Sequence, residues 1–240
     1  MNTLAAVLQT LSRGLFLDVE AYDELAEDDN PLVEGLFLLM VIGLAVAVAN
    51  VVGAVLGWAT TPDLTQVREI IYDALTRMPW FELMRSDPAA FESFNKIYGW
   101  VWDIMRYLNP GPLLSLAGLI LRPLLLIVSW LWFALLAQGT SRLLGGNGSL
   151  KGLLGAAALA SAPNLLHVLN AIPTVVVAAV GTWVLLARYV AVRRVHENLS
   201  WGRALAATLV PYVLAWLLFV IGWIALFLVA FGLLVAGGVS

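Results

Sequence analysis

Residues 204–240 read ALAATLVPYVLAWLLFVIGWIALFLVAFGLLVAGGVS, thirty-seven consecutive positions without a charged side chain. An apolar run longer than about 18 residues reads as a membrane-spanning helix, because hydrocarbon satisfies neither charges nor free backbone groups. As one helix it would reach about 55 Å at 1.5 Å per residue, beyond a bilayer core of about 30 Å. Two spans would need a polar turn, and none is present. One tilted or protruding helix over about 204–236 is expected.

The whole composition agrees with that class. Of 240 residues, 61% are hydrophobic and 12% charged, with a mean hydropathy of +0.90; soluble domains carry about 25% charged residues. Soluble, collagenous, coiled-coil and disordered classes are excluded. A net charge of −3 offers nucleic acid no basic footprint. With no cysteine and only His167 and His196, disulfides, thiolate chemistry and multi-histidine metal sites lack their parts. No catalytic residue, metal or cofactor is expected.

Four more apolar stretches precede the C-terminal run and complete an all-α polytopic bundle of about five transmembrane helices plus amphipathic interfacial helices. Span one, about 32–59, opens at Asn30-Pro31, a capping side chain followed by proline at the first helical position, and ends near Trp58. Span two, about 113–138, is interrupted by Arg122-Pro123. The turn Gly145-Gly146-Asn147-Gly148-Ser149 leads to span three, about 150–170, which is rich in small residues. After the hairpin Ala171-Ile172-Pro173, span four runs over about 173–192.

Two segments are different. Residues 1–30 form a cytoplasmic lead: a short amphipathic helix with Leu4, Val7, Leu8, Leu11 and Leu15 in line, then an acidic run. No base precedes its first apolar stretch and Arg13 interrupts it, which does not fit a cleavable signal peptide. The insert 60–112 is charged and aromatic. Starts at Thr61-Pro62 and Asp87-Pro88 and a stop at Asn109-Pro110-Gly111-Pro112 predict two helices, 62–78 and 88–108. Their apolar faces (Leu64, Val67, Ile71, Ala74, Leu75, Met78; Phe91, Phe94, Tyr98, Val101, Met105, Leu108) are expected to lie down on the outer membrane surface.

Orientation follows from the bases. Residues 1–34 hold Arg13 against eight acids, a net −7. Arg142 and Lys151 follow span two, and Arg188, Arg193, Arg194 and Arg203 surround the end of span four. The positive-inside rule places both basic loops in the cytoplasm, with the N-terminus inside, the C-terminus outside and the insert 60–112 extracytoplasmic.

The polar residues within the apolar stretches are the candidate site. Span three carries Ser161, Asn164 and His167, and Pro163 frees a carbonyl near Leu159 that a neighbouring Asn or Ser can satisfy. Asn164 and His167 share a face. Arg122, nine residues into span two, either snorkels outward or turns to a polar partner such as Asn50 or a lipid headgroup. Gly148, Gly152 and Gly155, with Gly53 and Gly57 of span one, read as close helix-packing positions. Arg193, Arg194 and His196 form the cytoplasmic basic loop. Carboxylates are missing from the spans, so paired-carboxylate, triad and proton-relay chemistry are not expected. The sequons at Asn147 and Asn198 read as turns and caps.

The run from 142 to 215 carries a resemblance. Arg142-Leu-Leu-Gly-Gly-Asn-Gly-Ser-Leu-Lys151, Ala160-Ser-Ala-Pro163, Ile172-Pro173, Val195-His196-Glu197-Asn-Leu-Ser200 and Arg203-Ala-Leu-Ala-Ala together resemble the Ypt-interacting-protein (Yip) domain family, above all its short bacterial branch. The resemblance implies five spans with a cytoplasmic N-terminus, and for the bacterial branch a place in the cytoplasmic membrane. Eukaryotic members sit in Golgi and endoplasmic-reticulum membranes, associate with one another and bind prenylated Rab-type GTPases. Only about 30 residues precede span one here, which weighs against small-GTPase binding. The expected function is a non-enzymatic membrane protein that organises or adapts membranes through contacts with lipids, with other membrane proteins or with itself. The alternatives are a permease or lipid-translocating protein with a polar path past Arg122, Asn164 and His167, and an accessory subunit of a larger complex.

Overall fold

The structure, a computed structural model, describes residues 3–60, 63–108, 116–172 and 174–237. Thr61-Pro62, Pro173 and the stop at 109–112 lie outside the described residues, as do the side chains of Leu4, Trp58 and Leu108. Every described element is helical: α1 (Thr3–Leu15), α2 (Val19–Glu27), α3 (Pro31–Thr60), α4 (Leu64–Thr76), α5 (Pro79–Arg85), α6 (Pro88–Leu108), α7 (Gly118–Leu143), α8 (Leu150–Leu159), a 3₁₀ helix (Ala162–Ala171), α9 (Val180–Val195) and α10 (Trp201–Gly237). The all-α membrane class holds.

Among the described residues, four helical segments are long and apolar enough to cross a bilayer: Pro31–Gly57, Gly118–Leu143, Leu150–Ala171 and Trp201–Val229. Five were expected. The difference is span four, where Thr174 and Ala179 hold left-handed backbone (φ 71° and 63°) that a helix does not tolerate. α9 therefore starts only at Val180 and has 16 residues, about 24 Å of helix. Span three is broken as well. α8 ends at Leu159, and from Ala162 through Pro163 to Ala171 the chain winds as 3₁₀ helix. At the break the Ser161 carbonyl takes both the backbone N–H (3.0 Å) and the side-chain Nδ2 (2.9 Å) of Asn164.

The chain divides into two compact units. The first comprises Met1–Val46, Leu121–His167 and Val177–Ser240. Its core gathers Leu39 of α3, Trp130, Phe133, Ala134 and Ala137 of α7, Leu153, Ala157 and Ala158 of α8, Val192 of α9 and Ala204 and Ala207 of α10. The buried Trp130 donates its Nε1–H to the carbonyl of Leu154 at 2.9 Å, an interhelical bond worth about 0.6–2 kcal/mol in lipid.

Residues 1–30, which charge alone sets apart, pack into this unit. Leu11 of α1 and Ala21 and Tyr22 of α2 are buried with Ala156 and Leu159 of α8 and Ala187 and Ala191 of α9. Tyr22 donates its hydroxyl to the carbonyl of Gly14 at 3.2 Å, and its burial pushes the phenol pKa up. Arg13 closes the α1–α2 corner by pairing with Asp18 and Glu24, each at 2.6 Å. That guanidinium holds the Asp18 carboxyl below its usual range. On α10, by contrast, nearly every side chain from Val213 to Val229 is exposed.

The second unit comprises Ala47–Ile120 and Val168–Val176. Here α4, α5 and α6 pack through an aromatic cluster. Tyr72, Phe81, Phe91, Phe94, Tyr98 and Trp102 form ring pairs with centroids 5.3–6.5 Å apart, and the Tyr98 hydroxyl donates to the Arg68 carbonyl at 2.7 Å. The insert thus has three helices rather than two, because Pro79 starts α5 at a proline-N1 position inside the expected loop. Phe91, Phe94 and Tyr98, expected to face lipid, face α4 and α5. The exposed apolar stripe of α6 is Ile97, Trp100, Val101, Ile104 and Met105.

Candidate functional site in the membrane region

α3 and α7 approach closely because Gly43 has no side chain where Pro123 packs: a Cβ on Gly43 would stand 2.7 Å from the Pro123 Cα. Beside this contact lies a cavity of about 250 Å³. Ile42, Gly43 and Val46 of α3 form one wall, Arg122, Leu125, Leu126 and Ser129 of α7 a second, and Asn164 and His167 of the 3₁₀ helix a third. Among the described residues the lining contains one cation and no acid. Among the described residues no carboxylate comes within ion-pair distance of Arg122. The Ser129 hydroxyl donates to the Leu126 carbonyl at 3.0 Å, so toward a ligand it can only accept.

Of the five candidate polar residues, three meet here: Arg122, Asn164 and His167. Ser161 is fully buried, and its hydroxyl has no hydrogen-bond partner among the described residues; it reaches the site through the carbonyl bonded to Asn164. Asn50 lies in the second unit, with a buried Nδ2 that also has no partner among the described residues. Ser129 joins the cavity unannounced, since a lone serine in an apolar helix gives no periodic signal.

The glycines have separate roles. Gly155 meets the Leu25 carbonyl and Pro31, and Gly152 meets the Ala26 carbonyl, so both face the end of α2. Gly53 lies against Asn170 and Ala171, while a Cβ on Gly57 would meet no described atom within 4 Å. Gly148 packs on the Val195 carbonyl in the turn between α7 and α8.

That turn and the basic loop are bonded to each other. The Gly148 N–H donates to Nδ1 of His196 (2.9 Å), the opposite Nε2–H donates to Oε1 of Gln138 (3.1 Å), and Nε2 of Gln138 donates to the Gly148 carbonyl (3.0 Å). Asn198 donates to the Gly145 carbonyl at 2.6 Å and accepts the Asn147 N–H at 3.2 Å. Arg193 donates to the Leu199 carbonyl, and Arg194 makes a two-toothed ion pair with Asp23 of α2. The basic loop is consumed by internal bonds. Arg188, which the charge count groups with it, is 8% exposed. Its guanidinium lies 4.6 Å from the Phe133 ring centroid and donates to the Tyr212 hydroxyl at 2.9 Å.

These elements define a polytopic helix-bundle membrane protein with an interhelical cavity between α3, α7 and the 3₁₀ helix. The Yip1 domain family model matches residues 14–224, and the chain belongs to that family. No curated protein and no solved structure matches it.

Proposed function

We propose that this member of the Yip1 domain family is a non-enzymatic integral membrane protein that organises or adapts its membrane through contacts with lipids and with other membrane proteins or further copies of itself. The observation that carries the reading is α10. Over Trp201–Val229 the most apolar part of this helix has none of its residues buried inside the chain, so most of its surface beyond Tyr212 is exposed to lipid or to neighbouring helices. The separate α4–α6 unit adds a second apolar surface, the Ile97–Met105 stripe. The rival reading, a permease or lipid-translocating protein, has the Arg122 cavity in its favour.

The proposed topology keeps both basic loops in the cytoplasm, in a bacterial cytoplasmic membrane, with the C-terminus outside. The hydrogen bonds from His196 and Asn198 to the 145–148 turn support it, because they join the two loops at one end of the bundle. The chain between them then runs away from that end and returns through α9. Cysteines can be placed singly, since the protein has none. A membrane-impermeant thiol reagent on intact cells should label a cysteine at Val239 and spare one at Ser200; the reverse pattern overturns the topology. Crosslinking with mass spectrometry in native membranes tests the function. Recurrent crosslinks from α10 to a second membrane protein or a second copy are expected, and a protein crosslinked only to itself within one chain would sink the reading.

A further inference from the structure

We infer that the cavity between α3, α7 and the 3₁₀ helix binds the phosphodiester of a membrane phospholipid, with Arg122 as its cation and Asn164 and His167 as neutral hydrogen-bond donors. The inference rests on the reading of this chain as a protein that works through lipid contacts and names the headgroup chemistry.

Three observations carry it. First, Arg122 is an exposed cation in an apolar helix with no carboxylate partner among the described residues. A guanidinium at membrane depth needs an anion or water, and its planar fork matches two phosphate oxygens. Second, the polar groups are at one level. Arg122 is the fifth residue of α7, and Asn164 and His167 belong to the segment that ends the antiparallel return from the 145–149 turn. They therefore sit in the half of the first unit away from that turn, level with the middle of α3, and a headgroup reaches them from the membrane surface on that side. Third, the lining is two-sided. Ile42, Val46, Leu125 and Leu126 offer acyl chain or glycerol an apolar wall, and the absence of an acid from the described lining disfavours a cationic ligand. At about 250 Å³ the space is below the roughly 300–1,000 Å³ of pockets for drug-sized molecules. It takes a headgroup fragment and leaves the chains in the bilayer. Asn164 uses one amide proton on the Ser161 carbonyl and keeps a second for the ligand.

The test is native mass spectrometry of the full-length protein from nanodiscs that contain phosphatidylglycerol and a phosphate-free galactosyl diacylglycerol with the same acyl chains. The wild type should retain one phosphatidylglycerol per chain in preference to the glycolipid by about ten-fold, as expected for a charge-assisted hydrogen-bonded pair. Arg122→Gln should abolish the preference, Arg122→Lys should keep part of it, and Arg142→Gln, a surface change elsewhere, should leave it intact. If Arg122→Gln fails to fold by thermal melting, Arg122→Lys and the Asn164→Ala/His167→Ala pair decide in the same assay, each with a reduced preference expected. Equal retention of both lipids by the wild type, or an unchanged preference in the variants, overturns the site. Displacement of phosphatidylglycerol by millimolar inorganic phosphate would assign the cavity to a soluble anion and also overturn it. α10 crosslinks scored on the same samples separate the two readings: intact crosslinks without lipid preference remove the site alone.

Discussion

Nδ1 of His196 accepts the backbone N–H of Gly148 at 2.9 Å, forty-eight residues away in the chain. The bond fixes the ring as the neutral tautomer with its proton on Nε2, facing Gln138. Gly148 can sit this close because it has no Cβ, which would lie 2.8 Å from the same nitrogen. One ring thus ties α7, the α7–α8 turn and the end of α9 together.

Stability should therefore depend on pH through His196. Burial, and secondarily the charge of Arg142, hold its pKa below the ordinary value. The unfolded chain takes up a proton near pH 6.5 while the folded ring does not. The stabilisation is complete above that pH and is lost as pH falls through it toward the folded pKa. Melting in detergent from pH 8 to 5 should show wild type losing more stability than His196→Gln over the acidic half. Parallel curves would remove the histidine from the account.

Gln138→Leu should cost about 1–3 kcal/mol at pH 8, because it strands both the His196 Nε2–H and the Gly148 carbonyl in a buried site. Double substitution with His196→Leu should cost less than the two changes added together, since the groups form one network. Full additivity in thermal melts would contradict the ring.

Much of this was legible in the sequence, and the boundary of legibility is physical. Charge-free length found α3, α7 and α10, and the glycines marked α8 as a helix that other backbones approach. Periodicity could not tell what an apolar face meets. Phe91, Phe94 and Tyr98 repeat with helical spacing whether they face lipid or α4 and α5, and only the packing decides. Charge is silent on partners for the same reason: Arg194 and His196 read as a cytoplasmic basic loop, and Asp23 and Gln138 that engage them are 171 and 58 residues away. Arg122, Asn164 and His167 were recognisable as misfits in apolar helices. Their meeting depends on Gly43 letting α7 approach, which no local pattern reveals.

The Asp23–Arg194 pair holds α2 to α9, but its side chains are 30% and 37% exposed. Solvent screening limits such pairs, so Arg194→Gln should cost no more than about 1 kcal/mol, falling further in high salt. A double-mutant cycle with Asp23→Asn measures the coupling. A value several times larger would mean that the corner is drier than its exposure indicates.

Gly155 is where α8 comes closest to the end of α2. Its Cα faces the C-terminal turn of α2, where an added Cβ would collide with the Leu25 carbonyl and stand 2.8 Å from the Pro31 Cβ. Neither backbone can yield like the end of a flexible side chain, so Gly155→Leu must push α8 away from α2. Overpacking of this kind costs about 1–3 kcal/mol, occasionally more. The matched control is Leu226→Ala on α10, where the native side chain is 59% exposed and in a membrane meets lipid rather than a packed core. Against hydrocarbon a smaller side chain leaves no fixed cavity, so little change is expected. Thermal stability in one detergent, measured for both variants, should fall for Gly155→Leu and hold for Leu226→Ala. The opposite ranking would mean that α2 does not pack on α8 and that the acidic lead is a separate arm.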